Sequence, residues 1–210
     1  MSDCPLPTAL STVPYDLDNC VNTGGKIGRF VFQRKDETTN TFVNATNGIE
    51  EQTSWSSLPD AAADTKVIVT PMVEAVSFGE SGVIESSENL DGAPFAIATG
   101  FTPVSFQMRN LSKSQWSALK DLANEPEVVV YFVYVDNKIG CKLLSESPDT
   151  HCGIPVSYRT IQIQDPSKEG TKADEFLSTM TFALPEGWME TMVTVTAESG
   201  FYPISEIKPS

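Results

Sequence analysis

The sequence predicts a mainly β fold, a sandwich or barrel, with one flanking α-helix at about residues 112–125 and a long extended arm or hairpin. Three observations predict it. About eight to ten short segments have the length and the β-branched or aromatic composition of strands. One segment carries complete start and stop signals for a helix. Residues 72–100 separate two strands and contain too many Phe, Val and Ile to lie free in water.

The composition is that of an acidic chain with enough apolar residues to fold. The 210 residues include 28 acidic and 14 basic ones, a net charge of −14. This balance argues against a nucleic-acid clamp, which needs a basic stripe, but not against a passage through which nucleic acid slides. A hydrophobic content of 40% argues against disorder. The start, MSDCPLPTAL, lacks a signal-peptide pattern, and no apolar run approaches the roughly 20 residues of a membrane helix.

We expect three parts in the chain. The proline-rich residues 1–24 form an irregular N-terminal arm. Residues 25–200 form a single β-sandwich domain, into which the segment 72–100 is inserted as a loop or arm. Residues 201–210 form a C-terminal tail that lies irregularly on the surface.

The first strand, residues 26–35, has Phe30 and Phe32 on one face, and a hairpin return is possible at residues 41–43. Two segments of the chain are similar to each other in sequence, and they are called the echo segments below. The segment WSSLPDAAADTKVIV at 55–69 aligns without gaps onto WSALKDLANEPEVVV at 116–130, with seven of fifteen positions identical. This indicates a Trp-anchored helix that leads into an apolar strand, twice, by duplication or by chance.

The extended segment 72–100 has five acidic residues, no basic ones and short apolar islands. Loops of this length are uncommon unless they are functional or disordered. We therefore expect an arm or long hairpin that lies on another surface. The alternative is an excursion packed on its own domain.

The predicted helix follows the strand at residues 101–109. Ser112 and Gln115 form a capping box, and Leu111 and Trp116 are placed as a hydrophobic staple. The helix should end by Glu125, because proline disfavours a helical residue before it.

Residues 128–135 form an apolar run after the helix, and they return through a turn at 136–138 into a strand at 139–144. A strand that is apolar on both faces needs cover on both faces. We expect a second sheet or another subunit to supply part of that cover.

Three strands complete the predicted fold. Residues 155–164 change their apolar phase, which predicts a bulge near Arg159 and Thr160. Two final strands, at residues 176–184 and 191–196, are joined by a Pro-Glu-Gly turn.

Residues suited to catalysis do not form a constellation in the sequence. His151 is the single histidine, and it stands in a polar loop without any G-x-S-x-G elbow in the chain. The segment GGKIG at 24–28 lacks the leading glycine and the Ser or Thr of a phosphate loop. We therefore predict no catalytic, cofactor-binding or metal-binding residues and a protein that is not an enzyme.

The cysteines and two of the tryptophans are predicted to have structural roles. Zinc ligands come in close pairs, and the cysteines are too far apart for that. We expect reduced thiols packed as small hydrophobes. Trp55 and Trp116 are predicted core anchors, and an exposed aromatic cleft containing Trp188 would indicate a binding module. The four cysteines are Cys4, Cys20, Cys141 and Cys152.

Several segments, in their order along residues 20–143, resemble major tail tube proteins of tailed bacteriophages, in a divergent branch. They are CVNTGGKIGRFVFQ (20–33), WSSL (55–58), DTKVIVTP (64–71), FGESG (78–82), TPVSF (102–106) and NKIG (137–140). The acidic arm and the helix with Trp116 depart from the family pattern.

The resemblance implies a β-sandwich subunit with a flanking helix and a long hairpin. Six such subunits form a ring whose hairpins join into one inner β-barrel, and stacked rings form a conduit for DNA ejection. Contacts between copies are expected through residues 72–100 and 128–143. The resemblance also implies other tail proteins as partners, transient non-specific passage of DNA, no membrane, and a virion location after synthesis in the host cytoplasm.

Two alternatives to a tail tube remain open at this point. One is another phage connector, such as a neck or tail-completion ring. The other is a β-sandwich adhesin or glycan-binding module.

Overall fold

The computed structural model describes residues 25–35, 42–43, 48–61, 65–80, 83–85, 96–125, 127–146, 149–165, 167–168 and 176–208. The predicted N-terminal arm, with Cys4 and Cys20, lies outside these residues, as do residues 81–82 and 86–95 of the predicted arm at 72–100. Within the described ranges, no helix is long and apolar enough to cross a membrane. The fold is mainly β, with two antiparallel sheets packed face to face, which confirms the predicted fold class.

Fifteen strands are present in the described residues. In chain order they are β1 (Ile27–Arg34), β2 (Phe42–Val43), β3 (Val67–Val69), β4 (Val73–Phe78), β5 (Val83–Glu85), β6 (Ala96–Thr99), β7 (Thr102–Arg109), β8 (Val128–Tyr134), β9 (Lys138–Glu146), β10 (Asp149–Cys152), β11 (Ile154–Pro155), β12 (Gln162–Ile163), β13 (Ser167–Lys168), β14 (Phe176–Leu184) and β15 (Met192–Thr196). The helices are α1 (Gln52–Trp55), α2 (Lys113–Leu122) and α3 (Pro203–Glu206), with a 3₁₀ turn at Trp188–Glu190.

The strands form two large sheets and one small one. Sheet A has the order β2-β10-β9-β8-β1-β3, with β11 also paired to β8 and β15 also paired to β9. Sheet B has the order β12-β14-β7-β4, with β13 also paired to β14. Strands β5 and β6 pair with each other. The prediction that residues 41–43 return as a hairpin against the first strand is wrong, because β2 pairs with β10 and not with β1.

The inner core lies between the two sheets. Alternation along β1 and β7 turns Phe30, Phe32 and Phe106 inward, where they meet Phe182 of β14. The Phe30 and Phe106 rings are 4.6 Å apart, and Phe182 packs edge-on against both Phe30 and Phe32 at 5.5 Å. Such offset and edge-to-face pairs stabilise a core beyond their buried area.

Strand β8 is buried on both faces, as predicted, but its cover comes entirely from its own chain. Val130 and Phe132 lie in the inner core, and Tyr131 lies in an outer cluster on the far face of sheet A. That outer cluster is closed by residues around Trp55 and around Phe201. Of the two sources of cover that the sequence left open for residues 128–135, the second sheet therefore covers one face, and residues 128–134 are buried without another subunit.

Helix α2 begins as the sequence predicts. Ser112 Oγ accepts the Gln115 amide hydrogen at 3.2 Å, and Gln115 Oε1 accepts the Ser112 amide hydrogen at 2.9 Å. Leu119 and Leu122 bury the inner face of the helix in the core. Beyond its C-terminal end, Glu125 forms a bidentate ion pair with Arg34 of β1, with N–O distances of 2.7 and 2.9 Å.

The two echo segments differ in structure. Trp55 ends α1 and is buried in the outer cluster, where its Nε1 donates to the Ile49 carbonyl at 2.8 Å. Trp116 lies in the first turn of α2, half-buried beneath the Lys120 ammonium at 4.6 Å, so its prediction as a core anchor is wrong. The two helices thus cover opposite faces of sheet A.

The segment 155–164 is not one bulged strand. Ile154 pairs with β8 of sheet A, whereas Gln162 pairs with β14 of sheet B. Between them the chain turns at Tyr158 and Arg159, and Arg159 has a φ of 53°. The change of apolar phase therefore marks a crossing from one sheet to the other.

The end of the chain is better ordered than predicted. Helix α3 starts at Pro203, and Phe201 and Ile207 are buried in the outer cluster. The predicted irregular surface tail at 201–210 is therefore wrong for the described residues 201–208. The division into an N-terminal arm, one domain and a tail otherwise stays a prediction.

Candidate assembly surface

The described parts of the predicted arm or hairpin at 72–100 are strands that pair with each other and with β7. Phe78 of β4 lies opposite Val104 of β7, and Val83 of β5 lies opposite Thr99 of β6. From Phe78 to Val83 the residue number rises by five, and the number of the paired residue falls by five, from Val104 to Thr99. Strands β5 and β6 therefore continue the register of β4 and β7, and the four strands (73–109) are called the long hairpin below.

The first strand of the long hairpin forms an open edge of sheet B. Strand β4 pairs with β7 on one side and with no other strand among the described residues. Its register shifts between Glu74 and Ser77, and Ala75 adopts a φ of 49° there. An open edge presents unpaired backbone groups to another chain, and bulges commonly restrict where such pairing occurs.

The outward face of sheet B is polar and largely uncharged. One row across the sheet consists of Ser77, Ser105, Thr181 and Gln162. In the next row, Glu74 lies opposite Gln107, which lies opposite Thr179. The Glu74 carboxylate is paired with the Arg109 guanidinium at 2.7 Å, so it is neutralised locally.

An apolar groove, called the base groove below, opens where the long hairpin leaves the sandwich. It has a volume of about 890 Å³. Phe78 is 42% exposed and Met189 is 69% exposed. Exposed apolar surface of this kind marks an interaction site more often than single exposed residues do. The groove is lined by Gly25, Lys26, Ile27, Ala75, Val76, Phe78, Gly79, Thr102, Phe132, Tyr134, Trp188, Met189, Met192, Val193 and Thr194.

Trp188 forms the inner wall of the base groove. Its ring is stacked on Phe78, 5.7 Å away with an interplanar angle of 12°, and it stands edge-on to Phe132. Its Nε1 donates a hydrogen bond to Thr102 Oγ1 at 3.2 Å. One ring face and the N–H group are therefore already used within the chain. The groove contains the aromatic cleft with Trp188 that the sequence analysis named as a sign of a binding module.

A titratable group also lines the base groove. Burial raises the pKa of Tyr134 to about 12, and the neighbouring Asp136 and Cys141 add to the shift. Its phenol is therefore neutral at physiological pH. Deeper in sheet A, burial also raises the pKa of Tyr131 well above its usual value.

The opposite edge of sheet B carries an exposed aromatic turn. The Ser157 amide donates to the Ala183 carbonyl at 2.8 Å, and Thr160 Oγ1 accepts from the Ala183 amide at 3.1 Å. These bonds fix the turn against β14. Tyr158 is 62% exposed, and the Arg159 guanidinium carbon lies 5.1 Å from the centre of its ring.

His151 and the two described cysteines lie on adjacent strands of sheet A. His151 is buried in β10 and so does not stand in the predicted polar loop, and Cys152 follows it, whereas Cys141 is buried in β9, the strand paired with β10. Burial raises the pKa of the Cys141 thiol, which keeps it protonated and inert. Within the described residues, no group of three or more His, Cys, Asp or Glu side chains is placed to hold a metal ion.

Sequence reasoning did not find the base groove. Phe78 and Trp188 are 110 positions apart, and nothing in either local pattern predicts their stacking. Gly79, directly after Phe78, was the sequence signal that could have indicated a close approach of two strands at this place. A side chain at Gly79 would meet Pro103 at 2.6 Å, so this glycine permits the close approach of the two hairpin strands.

No protein-family model matches the chain, and no curated protein matches it. Among solved structures, it is similar to a chain in the sheath–tube complex of PVC, an extracellular contractile injection system, in the extended state. The identity is 10% and the TM-score 0.35, over 88% of this chain and 100% of that one. A chain in the six-fold symmetrised baseplate of the anti-feeding prophage (AFP) gives 10% identity and a TM-score of 0.33, over 84% and 98%. This likeness is too coarse to transfer a role to the chain.

Proposed function

We propose that this protein is a structural tail tube subunit of a virion, which self-assembles into stacked rings of six copies. The rings form a conduit for DNA ejection, and the protein acts without catalysing a reaction. Its partners are other copies and other tail proteins, and its location is the virion tail after synthesis in the host cytoplasm.

The observation that carries this proposal is the register that the long hairpin keeps from Phe78 to Ile84. Residues 73–78 and 104–109 belong to the sandwich, whereas β5 and β6 continue the pairing as far as Glu85 and Ala96, with a register shift between Ile84 and Glu85. A two-stranded ribbon is marginally stable by itself in water. It gains stability when further strands pair with its edges, which a ring of identical hairpins supplies.

The two edges of sheet B favour ring closure. Strand β4 forms one edge, and the short strands β12 and β13 form the other. These edges are different surfaces, so pairing of one copy's β4 with the next copy's β12 edge is a head-to-tail contact. Head-to-tail contacts close into rings when the rotation is right. Closure also removes the exposed strand edges that promote aggregation.

The outward face of sheet B is the proposed wall of the conduit. Its described side chains are mainly hydroxyls and amides, with one carboxylate that is neutralised by Arg109. The Arg109 guanidinium on this wall is engaged by Glu74, so the wall attracts phosphates weakly and DNA can slide along it.

A binding module is the second candidate, and the base groove is the observation that favours it. A glycan site needs an aromatic face open to the sugar and polar groups placed around it. Here Phe78 covers one face of Trp188, and most lining side chains are apolar. We therefore propose that the groove belongs to an interface between copies. The nearest alternative to a tube is then a ring that does not stack, such as a connector.

Negative-stain electron microscopy of the purified full chain tests the proposal. Long tubes of constant bore are the expected result. Single rings that never stack would favour a connector. A chain that stays monomeric at all concentrations and salt conditions would contradict assembly, and glycan-array binding by that monomer would favour the second candidate.

A further inference from the structure

We infer that the base groove of one copy receives the exposed turn at Tyr158 and Arg159 of the neighbouring copy in the ring. This inference rests on the proposed function, because it needs copies joined head to tail. It assigns the groove a single occupant, a second copy of this chain.

The first argument is the position of both features along the strands. The Gly79 amide donates to the Pro103 carbonyl at 2.7 Å, and Pro103 lies opposite Ala183 in β14. Ser157 in turn bonds to Ala183. Gly79, Pro103, Ala183 and Ser157 therefore form one row across sheet B. The groove lies at one end of this row and the exposed turn lies at the other.

The second argument is the position of both features between the layers. The groove opens between the sheets at the end of β4, where Phe78 and Gly79 line it together with residues of β8 and β15 from sheet A. The turn crosses between the sheets on the β12 side, since it links β11 of sheet A to β12 of sheet B. When the β4 edge of one copy meets the β12 edge of the next, the turn faces the groove.

The third argument is chemical fit. Tyr158 is a large exposed aromatic side chain, and the groove offers Phe78, Met189 and Met192 as apolar partners. Thioethers and aromatic rings attract each other when the sulfur lies about 5 Å from the ring. Burying Tyr158 there would cover surface that is exposed in a single copy on both sides of the contact.

The fourth argument is charge. Arg159 is exposed next to Tyr158, and its backbone is held at a φ of 53°. Three exposed glutamates stand within two positions of lining residues in the sequence: Glu80, Glu186 and Glu190. Lys26 is the cation among the lining residues. These residues together are net acidic, which complements the guanidinium that accompanies Tyr158.

Photo-crosslinking of assembled tubes tests this inference. Tyr158 is replaced by p-benzoylphenylalanine, and the labelled chain is mixed with about a fivefold excess of wild-type chain so that tubes still form. Benzophenone inserts into nearby C–H bonds and favours methionine, so Met189 and Met192 are the expected targets. The matched control carries the same label in place of Tyr202, which is 52% exposed on a different surface.

We expect crosslinked dimers at position 158 whose linked peptides contain residues 188–194, at least tenfold above the control. Tubes that form but crosslink elsewhere, or not at all, would overturn the inference while leaving the proposed function intact. A wild-type chain that forms no rings or tubes would contradict both the inference and the proposed function.

Two substitutions give a second readout. Tyr158→Ser should raise the concentration needed for tube assembly about tenfold, as expected for the loss of one buried aromatic contact. Tyr158→Phe keeps the ring and should assemble like the wild type. Equal thermal stability of both monomers shows that folding is unaffected. Equal assembly of both variants would contradict the inference.

Discussion

Val130 and Val135 stand five residues apart in the same apolar run, yet they have opposite environments. Val130 is 0% exposed in the inner core, and Val135 is 46% exposed just beyond the end of β8. Composition alone assigned both to a doubly covered strand. The difference arises because the chain turns at residues 135–136, which removes Val135 from both layers.

We predict that Val130→Asp prevents folding. Burying an unpaired carboxylate in the core costs several kcal/mol, a large part of the roughly 5–15 kcal/mol that stabilises a domain. Circular dichroism and urea unfolding of the purified chain measure the loss. Val135→Asp is the matched control and should fold with nearly wild-type stability. A folded Val130→Asp variant would contradict the burial described for β8.

Tyr134 predicts an alkaline weakening of the fold. Its pKa rises from 10.0 to about 12 on folding, so the folded state holds a proton that the unfolded state loses first. The stabilisation is complete below pH 10 and is lost as the pH rises to about 12. It amounts to roughly 2–3 kcal/mol at about 1.4 kcal/mol per pKa unit.

The measurement is urea unfolding of the monomeric chain at several pH values from 8 to 12. Tyr134→Phe has no phenol at this position, so its free energy of unfolding should fall less steeply between pH 10 and 12 than that of the wild type. Part of the fall should persist in the variant, because burial also raises the pKa of Tyr131. Parallel curves for the two proteins would contradict the prediction.

At the scale of elements, α2 was the most predictable part of the fold. Its capping box, its N-terminal boundary and its buried leucines all follow from local sequence signals. We predict that Ser112→Ala lowers the free energy of unfolding by about 1 kcal/mol, because the first turn loses its side-chain cap. Ser117→Ala, on the exposed face of the same helix, is the control and should have no destabilising effect. Chemical denaturation distinguishes the two, and equal stability would contradict the role of the cap.

The strands were predicted better than their partners. The final strands lie at residues 176–184 and 192–196, close to their predicted ranges, but β14 belongs to sheet B and β15 to sheet A. Periodicity reports which face of a strand is buried and carries no information on which strand lies beside it. For the same reason the phase change near Arg159 was read as a bulge, although it marks a crossing between sheets.

The candidate surface was predictable only in part. The apolar islands between residues 72 and 100 indicated a segment that needs a partner, and the register of β5 and β6 agrees with a hairpin. The base groove depends on residues from five separate regions of the chain, around Lys26, Phe78, Thr102, Tyr134 and Trp188. Such long-range assembly leaves no local pattern in the sequence.

At the scale of the whole molecule, the sandwich and the long hairpin have different tasks. The sandwich covers its own central strand on both faces, so it does not depend on a neighbour for its core. The hairpin continues into β5 and β6, with an open edge along β4 and an apolar groove at its base. We therefore locate the need for other copies in the hairpin and in the groove at its base, and not in the core of the sandwich.

Shortening the hairpin tests this claim most directly. Residues 81–101 are replaced by Asn-Gly, a two-residue turn suited to hairpins, which keeps Glu80 and the partner of Trp188, Thr102. Sedimentation velocity and thermal unfolding compare this variant with the full chain. We predict a folded monomer with nearly wild-type stability of the sandwich and no rings or tubes. Unfolding of the variant, or assembly like that of the full chain, would contradict the account.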